Sequence, residues 1–325
     1  MESDDILDGG VGKRLGSVEL PRESSGPRLA IPLAVVQGAA SGPTVWVNAA
    51  LHGDEYLGPA TVVWLLRELD PAAVRGRLIL TPTLNPGGIR AMQREDPDRP
   101  ADLNRIWAPD SEGTAASRLT SWAATELLGR SEYVVDLHSG GNRFMQEPFT
   151  AYPRTGQPVD DASSDLAKAC GLRYIWAHQG SILEGALITA AARKGKPAVL
   201  IEMAGEGKAE PTWIDSMTAA VRGALAHVGV VAGSPRLLPS YQVFEGFTIV
   251  RNRSEGLWHR EVEPAAPVRS GATLGRVTDL LGRELEAVAA PTSGVVVGIC
   301  TYGFVPAQDY VAELAHGFRD EGPPA

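Results

Sequence analysis

The chain has 325 residues, 44% of them hydrophobic and 21% charged, with a formal net charge of −9. That length allows one large core plus a satellite domain, and the negative balance argues against nucleic acid or an anionic membrane as partner, since both ask for a basic face. Cys170 and Cys300, the two cysteines, lie far apart in apolar surroundings, which excludes a disulfide framework or a CxxC site and predicts buried, reduced thiols. The acidic start, MESDDILDGG, has no apolar core, and there is no run of about 18 apolar residues, so a cytoplasmic location is expected.

Along the chain, strands are expected near Lys13 to Leu20 and over Leu29 to Gln37. Pro43 to Leu51 (PTVWVNAAL) is rich in Val and Trp and reads as a central strand. It stops at His52-Gly53-Asp54-Glu55, and a helix follows with Val62, Val63, Leu65, Leu66 and Leu69 on one apolar face. Arg77 to Leu84 is another strand, ended by the turn Asn85-Pro86-Gly87-Gly88. Ile89 to Pro109 is long, polar and without periodicity, the kind of segment that is often functional inside a compact domain. A helix over Thr114 to Leu128 precedes the strand Tyr133 to Leu137, which runs into His138-Ser139-Gly140-Gly141. Helix Ser163 to Ala169, strand Leu172 to Ala177, helix Ile182 to Arg193, strand Pro197 to Met203 and helix Trp213 to Val231 complete the alternation.

Alternating strands and helices over 29–231 predict an α/β fold. Gly233, Pro235 and Pro239 mark a linker. Beyond it come short strands at about ten-residue spacing (Gln242 to Arg251, Gly256 to Val262, Thr273 to Thr278, Glu284 to Ala289, Gly294 to Ile299), the pattern of a small all-β module. The expected organisation is a catalytic α/β domain over 1–235 and a β domain over 236–325.

His52 and Glu55 fall at the mouth between a strand and a helix, where open α/β sheets bind ligands. An imidazole and a carboxylate three residues apart converge on one cation across a turn. HxxE alone is a short pattern, and its histidine could equally cap a helix. His138 strengthens the case, because it too ends a strand, and parallel neighbours would bring both strand ends to one sheet edge. Together they make a His₂Glu set, a common catalytic zinc arrangement with a fourth position for water. Asp136 shares a strand face with His138 and could orient its imidazole.

Such a site needs a proton shuttle. Glu202, ending a strand beside a glycine-rich loop, is favoured over Glu206 and Glu184. In the long polar segment, Asn104 and Arg105 are suited to grip a substrate carboxylate, and Arg94 is a candidate to steady an oxyanion. His178, His227, His259 and His316 form no ligand-spaced pair. Ser139 lacks the GxSxG setting of a serine nucleophile.

Taken in order, His52-Gly53-Asp54-Glu55, Asn85-Pro86, Asp102-Leu103-Asn104-Arg105, Asp136-Leu137-His138-Ser139-Gly140-Gly141 and Glu202 resemble the succinylglutamate desuccinylase/aspartoacylase family, over about residues 30–230 with a similar terminal β module. The resemblance implies a zinc carboxypeptidase-like fold, a mixed β-sheet flanked by helices, and one zinc held by His52, Glu55 and His138. It implies Glu202 as general base and acid, Arg94 as the carbonyl-polarising arginine with Arg90 and Arg99 as rivals, and Asn104 and Arg105 on the substrate carboxylate. The implied reaction is cleavage of the amide of a small N-acylated amino acid. The offset of Arg94 from Leu103-Asn104-Arg105 and the C-terminal sequence lie nearest the N-acetyl-diaminobutyrate deacetylase branch. Glu202-Met203-Ala204-Gly205-Glu206-Gly207 departs from the family's usual Glu-Gly-Gly, which leaves the preferred acyl or amine group open. A carboxypeptidase on short or modified peptides and a non-catalytic metal-dependent binding protein are the alternatives, and a homo-oligomer is compatible with each.

Overall fold

The structure, a computed structural model, describes residues 6–20, 29–107 and 113–324. The first five residues of the acidic start, Ala108 and Pro109 at the end of the polar segment, and Ala325 of the tail lie outside them. In chain order the elements begin with β1 (Gly12–Leu20), β2 (Leu29–Gln37), β3 (Ala40–Ala49), α1 (Leu57–Glu68), β4 (Arg75–Thr81), α2 (Pro86–Ala91), α3 (Ala115–Ala123) and β5 (Tyr133–His138). β6 (Phe144–Pro153), α4 (Val159–Ala169), β7 (Tyr174–His178), α5 (Leu187–Arg193), β8 (Ala198–Gly205) and α6 (Pro211–His227) follow. The rest is β: β9 (Tyr241–Arg251), β10 (Gly256–Arg260), β11 (Pro267–Val268), β12 (Thr273–Thr278), β13 (Glu284–Ala289), β14 (Gly294–Cys300), β15 (Phe304–Val305) and β16 (Tyr310–Glu321).

Among the described residues, twelve strands form one mixed sheet in the order β1-β2-β4-β3-β5-β8-β6-β7-β9-β16-β14-β11. β4, β3, β5 and β8 are mutually parallel, so the ends of β3, β5 and β8 reach one edge. Alternate residues of these strands face opposite sides, as the two-residue pleat requires. Trp46, Ile79 and Val134 enter one core with α3 and α5. Val45, Val47, Leu78, Leu80 and Val135 enter the other with α1, α4 and α6. No helix among the described residues is long and apolar enough to cross a membrane. Cys170 and Cys300 are buried and free.

The sheet continues through the 235/236 position: Tyr174, Ile175 and Trp176 of β7 pair with Gln242, Val243 and Phe244 of β9. β14 also pairs with β6, so β6, β7, β9, β16 and β14 close a five-strand circuit. A separate four-stranded sheet, β13-β12-β10-β15, packs Trp258, Leu274 and Val277 into a third core.

Three local expectations are corrected. β6 and β16 escape the sequence pattern; in β6, Pro148, which has no N–H to give a ladder, falls where the register with β8 shifts between Gln146 and Phe149. The helix expected over Ile182 to Arg193 begins only at Leu187, because the preceding turn is stitched to the polar segment through Trp107 N–H donating to Gly185 O at 3.0 Å. Val63 is turned to solvent beside Trp64, while Val62 and Leu65 are buried; each helical step rotates by about 100°, so neighbours cannot all share one face.

Candidate metal centre and its cleft

β3 ends where Ala50 takes a left-handed backbone, φ 44°, an unusual conformation for a residue with a Cβ. The next residues turn back, and Glu55 N–H reaches His52 O at 3.4 Å. Gly53 is obligatory in this turn: a Cβ on it would lie 2.0 Å from the carbonyl carbon of Gly88. Gly53 N–H and the Asn85 side-chain amide both donate to Arg94 O, at 3.0 and 2.9 Å, which ties the arginine to the same turn.

His52, Glu55 and His138 are each buried, and one candidate ligand atom from each lies within 4.8 Å of the others. Among the described residues they are the one such group found. His52 Nδ1 is 2.6 Å from Glu55 Oε1, and His138 Nδ1 is 2.9 Å from Glu55 Oε2. Both Nε2 atoms face other carboxylates, His52 to Asp102 Oδ1 at 3.1 Å and His138 to Asp136 Oδ2 at 3.0 Å. If each Nε2–H donates outward, each Nδ1 presents a lone pair to Glu55. Three acceptor groups then converge at hydrogen-bond distance, an arrangement that either a proton or a metal ion between them would satisfy. The donor set therefore fits a divalent metal of the kind held by two imidazoles and a carboxylate.

Asp136 is itself fixed by a polar row across the sheet. Asn48 Nδ2 donates to Asp136 Oδ1 at 2.7 Å, Thr81 Oγ1 to Asn48 Oδ1 at 2.8 Å, and Trp46 Nε1 to Thr81 Oγ1 at 3.0 Å. Asp102, whose contact with His52 the sequence does not disclose, also accepts from Arg94 Nη2 at 2.8 Å.

Electrostatics follow from this crowding. Burial alone would raise the Glu55 carboxyl, yet His52 and His138 hold it well below the usual carboxylate range. Burial also opposes charge on His138, but Asp136 and Glu55 outweigh it and push the imidazole well up. Asp102 is likewise lowered against its burial, by His52 and then Arg94. Glu202 behaves oppositely. Burial, then the Glu55 charge, raises its carboxyl well above normal, and its Oε1 is buried without a hydrogen-bond partner. Glu202 sits opposite His138 in the β5–β8 register.

These groups open on a cleft of about 580 Å³ that also takes in Arg94, Asn104 and Arg105. Arg94 Nη1 is 3.7 Å from Glu55 Oε1. Arg90 is exposed and Arg99 pairs with Asp96 at 2.9 Å; neither lines the cleft. Glu184 pairs with Arg193 and Glu206 with Lys208, both outside it. Asn104 is more committed than its sequence context implies: its Oδ1 accepts from Leu187 N–H at 3.0 Å, capping α5, and its Nδ2 is 3.3 Å from His138 Nε2. Arg105 is exposed and donates to Asn104 O. The cleft's far wall, from β6, β9 and β16, includes Gln146, Phe247, Arg251, Tyr310 and Glu313. None of these carries a sequence signal, since each is an ordinary strand residue until the circuit closes.

Residues 41–228 match the succinylglutamate desuccinylase/aspartoacylase catalytic domain. The chain is 29% identical over 281 residues, 83% of this chain and 81% of the relative, to an N-alpha-acetyl-L-2,4-diaminobutyric acid deacetylase of Halomonas elongata. It is similar to the product-bound ectoine utilization protein EutE (DoeB) of Ruegeria pomeroyi at 28% identity and TM-score 0.86, over 95% of this chain and 96% of that one. A succinylglutamate desuccinylase of Silicibacter sp. superposes with TM-score 0.84 at 26% identity, over 95% and 97% of the two chains.

Proposed function

Since the chain belongs to the succinylglutamate desuccinylase/aspartoacylase family, we propose that it is a zinc-dependent hydrolase that cleaves the amide bond of a small N-acylated amino acid. The fold relationship we infer is to zinc carboxypeptidases, with 1–235 carrying the chemistry and 236–325 supplying part of the far wall of the cleft. The observation that carries the reading is the convergence of His52, Glu55 and His138 beside Glu202, one oxygen of which is buried and unpartnered.

His52 and His138, through Nδ1, and the Glu55 carboxylate would hold the zinc. When bound, zinc supplies positive charge that acidifies water and polarises a carbonyl. Glu202 takes a proton from the attacking water as its oxygen adds to the amide carbon. It returns that proton to the amine nitrogen as the C–N bond breaks. Arg94 donates to the oxygen that becomes anionic in the tetrahedral species. Arg105, with the Asn104 amide beside it, holds the substrate carboxylate and fixes the approach of the scissile bond. The sequence likeness to a deacetylase supports an amide rather than an ester.

The test is metal analysis coupled to a screen of N-acylated amino acids read by mass spectrometry, with chelated protein as control. One zinc per chain and metal-dependent release of free amine are expected. Stoichiometric zinc without turnover on any acyl-amino acid or dipeptide would overturn the enzymatic reading in favour of a binding protein.

A further inference from the structure

The cleft is apolar on one side of Glu202 and polar on the other. Leu200 precedes Glu202 by two positions on β8 and so shares its face. Phe149 of β6 is the register partner of Glu202, and Ala151 is the partner of both Leu200 and, on β7, Trp176. Cross-strand partners point to one face, so an apolar row runs from Glu202 through Leu200 to Trp176. Phe247 of β9 stacks on Trp176, with ring centroids 4.3 Å apart and planes 16° from parallel. Ile182 and Leu183 approach from the turn between β7 and α5, and all six side chains line the cleft. Phe149, Trp176, Leu183 and Leu200 turn only an edge to it, while Ile182 and Phe247 are half-buried. On the other side of Glu202, Gln146 is the partner of Ala204. Its Nε2 donates to Glu313 Oε2 at 2.9 Å beside Gly298, the register partner of both.

Glu202 stands at one end of this apolar wall. At the other end, the turn that carries Ile182 and Leu183 is fastened to the residues assigned to the substrate carboxylate. Leu187 N–H donates to Asn104 Oδ1 at 3.0 Å, and Trp107 N–H donates to Gly185 O at 3.0 Å. The backbones touch closely there, since a Cβ on Gly185 would lie 2.0 Å from Arg105 O. In an N-acylated amino acid the α-carbon joins the scissile nitrogen, which Glu202 protonates, to the carboxylate, which Arg105 holds. The side chain on that carbon is therefore the group brought against the wall between them. Five of the six wall side chains are hydrocarbon, and the sixth, Trp176, has its indole N–H buried. A polar side chain placed there gives up water and gains no partner, whereas an apolar one gains by leaving water. The cleft, about 580 Å³, is of a size that takes drug-sized molecules and has room for a side chain as large as leucine or phenylalanine.

We infer that the wall of Phe149, Leu200, Trp176, Phe247, Ile182 and Leu183 receives the amino-acid side chain of the substrate, so that the preferred substrates are N-acyl derivatives of bulky apolar amino acids. This rests on the hydrolase reading above and names the residues that set specificity within that site.

The test measures kcat/KM for N-acetyl-L-leucine and N-acetyl-L-alanine with the zinc-loaded full chain and reads their ratio, in which any loss common to both substrates cancels. The unaltered protein is expected to favour the leucine compound at least about tenfold, the discrimination a hydrophobic pocket gives for a methylene or more. Ile182→Ala and Phe247→Ala, on separate elements, are each expected to lower that ratio several-fold, and a fall in either supports the wall. A ratio near one in the unaltered protein, or a ratio that neither variant lowers, overturns it. N-hexanoyl-L-alanine separates the two ends of the substrate: if it gains over N-acetyl-L-alanine and the leucine compound does not, the wall holds the acyl chain and the assignment fails. Where a variant hydrolyses neither compound, calorimetric affinities for L-leucine and L-alanine supply the ratio under the same criteria. If the unaltered zinc-loaded protein hydrolyses neither, the hydrolase reading fails for this class, and the same calorimetry judges the wall by itself. Tighter leucine binding that either variant weakens supports it, and equal binding overturns it.

Discussion

His138 Nδ1 lies 2.9 Å from Glu55 Oε2 across 83 positions of sequence, and neither ring nitrogen of His138 faces anything but a carboxylate or the Asn104 amide. A histidine held this way has its tautomer chosen by the outer partner. Asp136→Asn removes the carboxylate on Nε2 and leaves the three inner residues intact. Zinc affinity is expected to fall about 10–100-fold, measured by competition with a chromophoric chelator. Unchanged affinity would show that Asp136 serves the polar row through Asn48 and Thr81 rather than the imidazole.

Glu202 lines the cleft opposite His138 in the strand register, with one buried oxygen that has no hydrogen-bond partner. Glu202→Gln preserves its shape and removes its basicity. Zinc content is expected to stay at the level of the unaltered protein, while kcat falls by about 10²–10⁴. Elemental analysis and single-turnover kinetics on the same preparation check both halves, and retained turnover would remove the general-base assignment.

Arg94 and Arg105 line one cleft but are assigned different work, and kinetics separates them. Losing a contact made only in the transition state lowers kcat, whereas losing uniform binding raises KM. Arg94→Ala is therefore expected to cost about 10²–10³ in kcat, with little change in KM. Arg105→Ala is expected mainly to raise KM. The reverse split would exchange their roles.

Away from the cleft, Glu286 offers a test of pH-dependent stability. Its carboxylate accepts from Arg253 N–H at 2.7 Å, Ser254 N–H at 2.8 Å and Arg253 Nε at 3.2 Å. Burial would raise this group, but the two backbone donors and the arginine lower it from its ordinary value of 4.5. A folded-state value below the unfolded one adds stability above pH 4.5 that is lost as pH falls through the lowered value. Glu286→Gln is thus expected to destabilise the protein by about 1–3 kcal/mol near neutrality. The gap to the unaltered protein should narrow in acid. Denaturant unfolding at both pH values measures it, and a gap that widens in acid would contradict the assignment.

Much of the candidate site is legible before folding because His138 ends a recognisable strand and His52 and Glu55 lie in the turn just after another. Val45 to Ala49 and Tyr133 to Leu137 are apolar runs that stop at polar residues, and parallel pairing then carries His52 and His138 to one edge. The rivalry between arginines is of another kind. Arg90, Arg94 and Arg99 share one polar segment, and only the hydrogen bonds to Arg94 O from Gly53 and Asn85 explain why Arg94 alone reaches the cleft. Asn104 illustrates the limit from the other side: its motif suggests a substrate contact, while the fold also has it capping α5.

By itself the order of residues determined the α/β alternation and marked His52, Glu55, His138 and Glu202 as candidates, since strand ends and three-residue turns are local features that periodicity and side-chain type record. The tertiary structure decided what surrounds them: Asp102 on His52, the closing of β14 onto β6, and the Gln146–Gly298–Glu313 row. The last two depend on register between strands up to 167 residues apart, a property of pairing that no single segment carries, and the first on how two distant loops are brought together.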